Sequence, residues 1–450
     1  MDKQDVFAFI QKNGVNNVKF GVTDIDGVLR GKIISIKKLF KAISEGIGFC
    51  NVIFGWDIND VCYENSLVSG WHTGYPDSFA TIDLNTFRTI PWDNHKPFFL
   101  ADFETSKELH QVCPRALLKK TRNQAIKEGF YPKYSAEFEW FNFAETPNSL
   151  KEKGFQNPNP ISPGMFGYSI LRASQFSGYI NQIFDHLNSF GIPLEGLHTE
   201  TGDGVYEAAI TYDDILISAD RAALFKTSIK EIAYQHEIMA SFMAKWNDDL
   251  PGCSGHIHQS LWDKDGNNLF YDSTEPYMMS KIMNHFLAGQ IACLPYILPM
   301  FAPSINSYKR YVQGSWSPIS ASWGIENRTT ALRVIHHNSD SMRIEHRVPG
   351  ADANPYLSMA AALASGLYGI KHELSLKIDA TIGNEYDNSN SNLFSNNLKD
   401  AVYKMKNSNI PIELFGAEFV DHFIRTREWE YEQFQESARE WEVKRYFEII

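Results

Sequence analysis

Glu137 and Glu139 stand two residues apart in SAEFEWFNF, His256 and His258 in GCSGHIHQS, and Arg343, Glu345 and Arg347 in RIEHR. Side chains at i and i+2 of a strand share a face, so each set projects as neighbours roughly 6–7 Å apart. The opposite faces carry Phe, Trp, Ile and Leu, so these strands pack on a core. Two glutamates on one face of a half-buried strand repel unless a cation sits between them. In HTETGDGVYE, Glu200 and Glu207 bracket Gly202 and Gly204, and a tight glycine turn can bring both carboxylates to one point. Glutamates with one or two histidines and no nearby thiolate set suit a hard divalent ion, Mg2+ or Mn2+.

Residues 306–356 add the complementary charge. The chain carries a net charge of -12, yet Arg310, Arg328, Arg333, Arg343 and Arg347 crowd here among apolar and aromatic residues. Arginine held in such a setting needs anionic partners, and its fork suits carboxylate and phosphate. Divalent ions together with many arginines point to a nucleotide and phosphoryl transfer. Each pattern alone is common on solvated strands and turns; their joint occurrence in one chain is what points to a metal–nucleotide site.

The elements that must position these groups can be read coarsely. A helix over about 3–13 leads to VKFGVTDI and LRGKIISI, joined through Asp26-Gly27, a hairpin signal. Short strands and turns are expected up to FFLADFE. Cys113-Pro114-Arg115 opens a helix that closes at Gly129. Further helices are expected at about 174–190, 220–237, 276–293, 355–369 and 411–438, and long loops at 146–164 and 386–397. The pattern predicts an α+β chain in two domains, 1–105 and 106–450.

Composition excludes several classes. The 450 residues are 43% hydrophobic and 21% charged, as in ordinary globular proteins. The acidic balance argues against nucleic acid as a partner. Five cysteines without a CxxC pair fit a reducing cytosol. Pro295 and Pro299 break the most apolar run, 286–302, so no membrane span is expected.

Glu-x-Glu at 137–139, Glu200 to Glu207, GCSGHIHQS at 252–260, NSYKR at 306–310, NRTTALR at 327–333, and RIEHR with ADANPYL at 343–357 resemble the glutamine synthetase family in order and spacing. The resemblance covers nearly the whole chain. It implies a small N-terminal β-grasp domain and a larger catalytic domain built on an antiparallel half-barrel sheet with helices. It also implies a homo-oligomeric ring, a dodecamer of two stacked hexamers, in which the neighbour's N-terminal domain completes each active site. Carried over by position, Glu139, Glu200 and Glu207 resemble ligands of one divalent ion, and Glu137, His256 and Glu345 those of a second, within a set of two or three Mg2+ or Mn2+ ions. His258, Ser260, Arg333 and Arg343 resemble nucleotide contacts, with ATP as the phosphoryl donor. Arg310 and Arg347 resemble the clamps for the glutamate carboxylates, with Gly252 beside its amine, and Arg328 faces the transferred phosphoryl group. Arg328, Arg333 and Glu345 are the catalytic set this implies.

Two departures bear on the nucleophile. Family members that use ammonia have an aspartate in a loop of the N-terminal domain and a glutamate in a flap after NSYKR. Here Cys50 and Trp316 fill those positions, the latter within Gly314-Ser315-Trp316-Ser317-Pro318. Loss of both carboxylates removes the charge complement of a small cation, and an indole offers an apolar wall. The pattern is similar to γ-glutamylpolyamine and related γ-glutamylamide synthetases. A polyamine site would offer extra carboxylates, and none is evident near Trp316, so a monoamine, apolar or aromatic, is favoured. An arylamine is already neutral at pH 7 and would not need the lost deprotonating glutamate. The alternatives are authentic glutamine synthetase and γ-glutamylpolyamine synthetase. Tyr386, in GNEYD, is read as a loop residue, and the chain as cytoplasmic.

Overall fold

Strands β1 (Asn17–Thr23) and β2 (Leu29–Ser35) pair antiparallel around the Asp26-Gly27 turn. The turn is longer than the dipeptide alone requires. The Asp24 carboxylate accepts the N–H groups of Asp26 at 3.1 Å and Val28 at 2.9 Å, closing a five-residue connection. Gly27 has a positive φ of 83°, and a Cβ there would lie 3.2 Å from the Cα of Asn354, so this turn accepts only glycine. The computed structural model describes residues 2–103, 110–388 and 392–446, the last nine of these by backbone alone. The expected domain boundary at 105/106 lies outside the described residues, as does part of the Asn/Ser-rich segment 386–397.

With β3 (Ile47–Cys50), β4 (Asp77–Ile90) and β5 (Lys96–Asp102), the hairpin completes a five-stranded sheet of order β2-β1-β5-β4-β3. Its central pair, β1 and β5, is parallel. A helix, Ile36–Glu45, packs on it. The expectation of short strands between the hairpin and FFLADFE is corrected: β4 is one long strand, whose register slips between Asp83 and Arg88.

The second sheet is built on β6 (Tyr131–Phe143). With β7 (Leu194–Thr199), β8 (Val205–Ile210), β9 (Asp213–Asp214), β10 (Met239–Ser241), β11 (Gly255–Trp262), β12 (Trp323–Ile325), β13 (Leu332–Ile335) and β14 (Arg343–His346), it forms a curled, nine-stranded sheet of order β12-β13-β14-β11-β6-β8-β7, with β9 and β10 also on β6. Every pairing in it is antiparallel except β12 with β13. Alternation along β6 buries Phe138 and Trp140 on the side of helix Ile215–Gln235, where Phe138 stacks on Phe225 with ring centroids 5.7 Å apart. Glu137 and Glu139 face the other way. Helices Lys281–Ile297 and Pro355–Lys371 complete the core behind the sheet.

Several helix expectations shift. The segment 174–190 is two helices, Ile170–Gln175 and Ser177–Ser189. The helix expected from 276 begins at Lys281, capped by Ser280. The loop expected at 146–164 contains a short helix, Pro147–Glu152, capped by Thr146. The last helix is broken at Gly416 (φ 89°) into Ile410–Phe415 and Ala417–Tyr446. Among the described residues, no helix is long and apolar enough to cross a membrane.

The two sheets are tied by buried charge. Arg115, in helix Pro114–Lys127, reaches Asp83 of β4 at 2.8 Å, Asp102 of β5 at 2.7 Å and Asp220 of helix Ile215–Gln235 at 2.9 Å. Burial works against the Asp83 carboxylate, but Arg115 outweighs it and holds it below its ordinary range. Arg115→Met would remove the guanidinium that these carboxylates share, leaving Asp102 with Lys119 at 3.2 Å, and we expect it to cost about 3–5 kcal/mol, read as a lower urea midpoint at fixed protein concentration. Asp83 is depressed in the folded state, so its contribution is present above its unfolded pKa and is lost as pH falls. The gap between wild type and variant should therefore narrow below about pH 4.

Candidate active site

The strand registers bring the i, i+2 pairs of different segments face to face. Across β6 and β11, Glu137 stands opposite His256; across β6 and β8, Glu139 opposite Glu207. Glu207 pairs on its other side with His198 of β7, and Glu345 of β14 lies between His258 and Arg333. One concave face thus collects carboxylates and imidazoles from five strands.

Three overlapping sets of ligand atoms result, each within 4.8 Å: Glu137, Glu207 and His256; Glu137, His258 and Glu345; and His198, Glu200 and Glu207. All the donors are carboxylate oxygen or imidazole nitrogen, as a hard divalent ion prefers. The electrostatics fit the same ion. Burial first, then Glu137, Glu139 and Glu200, push Glu207 up to about 12. Burial also opposes charge on Glu137, but its bonds to Glu207 and His258 hold it well below the ordinary range, so the Glu137–Glu207 pair shares one proton. A divalent cation relieves the same repulsion. Burial, with Arg347 nearby, lowers His256 to about 3, leaving a neutral imidazole able to donate its lone pair. Glu139 is raised by burial and accepts the Ser254 N–H at 2.6 Å. His198 was not anticipated, although it stands i−2 to Glu200, the same spacing that marked the other pairs.

Beside this face, the arginines make specific bonds. Glu345 accepts Arg347 Nη1 at 2.5 Å on one oxygen and Arg333 Nη1 at 2.9 Å on the other. Burial opposes its charge, but Arg347 beside it brings it down to about 2. Arg347 Nη2 also donates to the Trp316 carbonyl at 3.2 Å. Arg310 is buried and donates to the Val348 and Arg347 carbonyls at 2.8 and 3.0 Å. Gly252 lies against it: a Cβ there would stand 2.5 Å from the Ala244 oxygen and 2.8 Å from Arg310 Cγ. Arg343 Nε donates to His258 Nδ1 at 3.2 Å, and His258 Nε2 lies 2.8 Å from Glu137.

Two cavities open from the crater. One, of about 300 Å³, is lined by Glu137, His258, Ser260, Arg343, Lys133 and Trp262 among others. Ser260 Oγ accepts the Trp262 indole N–H at 2.8 Å, and Lys133 Nζ stands 4.0 Å from the Trp262 ring centre. The other, of about 500 Å³, is lined by Trp316, Arg328, Glu326, Tyr277, Ile325 and Ile382 among others. Trp316 is 64% exposed and sits at φ 62°. Tyr386, read from sequence as a loop residue, donates its hydroxyl to the Ser317 carbonyl at 2.8 Å and so pins the flap. Glu326 corrects the expectation that no carboxylate lies near Trp316. Cys50 is not brought here: it ends β3, with Sγ 3.5 Å from the Tyr75 carbonyl. Among the described residues, no hydrogen bond or ion pair joins it to the crater.

A curled sheet presenting carboxylates and imidazoles beside arginines defines a site for metal-assisted chemistry on an anionic substrate. Comparison with known proteins agrees: residues 111–446 match the glutamine synthetase catalytic domain, and this chain belongs to the glutamine synthetase family of ligases. It is 51% identical to type-1 glutamine synthetase 2 of Dictyostelium discoideum over 96% of this chain and 84% of that one. It is 36% identical to a glutamate–isopropylamine ligase of a Pseudomonas species, over 98% and 97%. With γ-glutamylethanolamide synthetase of Streptomyces coelicolor it shares 32% identity, over 99% and 95%. Among solved structures, a GmaS–ADP complex superposes with a TM-score of 0.84 at 25% identity, over 98% of both chains.

Glu137 and Glu207 each belong to two of the three ligand sets, whereas Glu200 belongs to one. Glu137→Gln should weaken Mn2+ binding by roughly tenfold or more, and Glu200→Gln by less, as read by titration calorimetry. Because Glu207 begins protonated, cation uptake must release a proton, so apparent affinity should rise with pH. Titrations in two buffers of different ionisation enthalpy measure that proton; identical heats would refute the shared-proton account.

Proposed function

We propose that this chain is an ATP-dependent ligase that joins the γ-carboxylate of L-glutamate to an organic amine through γ-glutamyl phosphate. The observation that carries this reading is Trp316. It replaces the flap glutamate of ammonia-using relatives and lines a cavity with Ile325, Ile382 and Tyr277, which suits an apolar amine better than ammonium. The relatives named for isopropylamine and ethanolamide support an amine as the nucleophile.

In this reading Arg310 and Arg347 hold the glutamate carboxylates, with Gly252 beside its amine. His258, Ser260 and Arg343, which line the cavity over β6 and β11, hold ATP together with Arg333. Glu139, Glu200 and Glu207, with His198 added, would hold one divalent ion, and Glu137, His256 and Glu345 another. When bound, these ions supply positive charge against the transferring phosphoryl group. A γ-carboxylate oxygen attacks the terminal phosphorus and ADP leaves. Arg328 and Arg333 neutralise charge on that group as it moves. The amine nitrogen then attacks the acyl carbon, and phosphate departs with the electrons of the broken C–O bond.

The assembly belongs to the same proposal. Residues 1–105 and 106–450 are its two domains, the working form is a cytoplasmic ring homo-oligomer, a dodecamer, and Cys50 of the partner subunit completes the amine site. Authentic glutamine synthetase is the second reading, because the 51%-identical relative bears that name. A polyamine is disfavoured, since Glu326 is the one carboxylate among the residues lining the Trp316 cavity.

Phosphate release measured with glutamate, ATP and a panel of amines separates the readings. A small apolar amine should outperform ammonium, and Trp316→Glu should lower turnover of bulky amines by about tenfold. Efficient use of ammonium at low millimolar concentration with no amine doing better establishes glutamine synthetase instead.

A further inference from the structure

We infer that Glu326 is the carboxylate that receives the amine, holding its cationic head and taking a proton from it; this rests on the glutamate–amine ligase reading. Glu326 directly follows β12 and lines the same cavity as Trp316 and Arg328. Its backbone sits at φ 52°, a left-handed conformation that residues with a Cβ rarely adopt. Ladder bonds fix that turn, with Glu326 N donating to the Val334 carbonyl at 3.0 Å.

The two carboxylate oxygens are used differently. Oε2 accepts Nε and Nη2 of Arg333, at 3.1 and 2.5 Å. Oε1 is buried and accepts no hydrogen bond. His337 Nε2 lies 3.3 Å from it and His336 Nδ1 3.9 Å, neither in hydrogen-bonding geometry. An ionised carboxylate accepts at both oxygens, and Glu326, whose side chain is 29% exposed, lines the cavity with that capacity unfilled. Arg328 lines the same cavity and would repel an ammonium; Glu326 offsets it.

The carboxylate is also next to the chemistry. Arg333 bridges Glu326 to Glu345, and Arg347 bridges Glu345 to the Trp316 carbonyl. The amine cavity and the metal crater therefore share a wall. The class of substrate follows: a primary aliphatic amine, protonated at neutral pH, with its head on Glu326 and its apolar body against Trp316, Ile325 and Ile382. R–NH3+ gives one proton to the Glu326 carboxylate, which releases it after the product has left. The freed lone pair forms the C–N bond, the acyl C–O bond breaks, and the leaving phosphate carries off the second proton.

The test compares Glu326→Gln and Glu326→Asp with wild type on isopropylamine, which is protonated at pH 7, and hydroxylamine, which is neutral at pH 7. In Glu326→Gln the ratio of kcat/KM for isopropylamine to that for hydroxylamine should fall at least about tenfold, mainly through KM for the amine. Glu326→Asp should recover part of it, and ADP-induced thermal stabilisation with Mg2+ confirms that both variants fold. An equal fall for both nucleophiles, or a matching rise in KM for ATP, overturns the inference and leaves Glu326 as a buttress for Arg333. Should wild type prefer ammonium to every amine, the organic-amine reading fails on its own, and Glu326 is then judged by the same ratio with ammonium in place of isopropylamine.

Discussion

Arg333 and Arg347 clasp the two oxygens of Glu345, and much of the site depends on that arrangement. Glu345 is 2% exposed, deep in a face already crowded with glutamates. Left alone, a carboxylate there would take up a proton, as Glu207 does. Two guanidiniums reverse this and keep Glu345 ionised, able to serve as a hard ligand beside a neutral His256. The same arginines continue outward, one to Glu326 and the other to the Trp316 carbonyl. A single buried ion triad thus fixes Glu345, the flap and one wall of the Trp316 cavity together.

The i, i+2 pairs were legible because strand periodicity is local, and three such sets in one chain do not arise from solvated faces. Their pairing was not legible. That Glu137 meets His256, and Glu139 meets Glu207, depends on the register of strands remote from one another in sequence, which no local pattern encodes. His198 carried the same spacing signal as the others but was masked by the glycine turn that follows it. Glu326 had no such signal, because its bond to Arg333 is created by the parallel β12–β13 ladder. The long strand β4 was obscured by Asp83–Arg88, where the register slips and alternation is lost. Cys50 and Trp316 were matched by the same kind of argument, yet only Trp316 reaches the crater of its own chain.

The positions that distinguish this chain lie at the edge of the site, and the shared chemistry lies on its floor. Most of the clustered carboxylates and imidazoles come from paired strands, whose geometry is over-determined by ladder bonds, whereas Arg310 ends the short helix Asn306–Arg310 and Arg347 directly follows β14. Trp316 is instead on an irregular flap held by Ser315 to the Val312 carbonyl at 2.5 Å and by Tyr386 to the Ser317 carbonyl. Such a segment can change its side chain without disturbing the floor, so relatives with the same fold can bear the names of different amines.

The contacts that seat the N-terminal hairpin have a consequence for synthesis of the chain. Asn354, which caps helix Pro355–Lys371, donates to the carbonyls of Asp24 and Ile25, 330 and 329 residues away in sequence. Trp429 reaches Asp57, and Arg427 reaches Asp26, across 372 and 401 residues. At ordinary ribosomal speeds the hairpin turn emerges about 15–65 s before Asn354 does. Throughout that interval the hairpin turn lacks these hydrogen-bond partners, although helix Ile36–Glu45 and Arg115 already pack against the sheet itself. The turn between the first two strands is therefore secured by residues made hundreds of positions later, so its final seating waits on helices Pro355–Lys371 and Ala417–Tyr446.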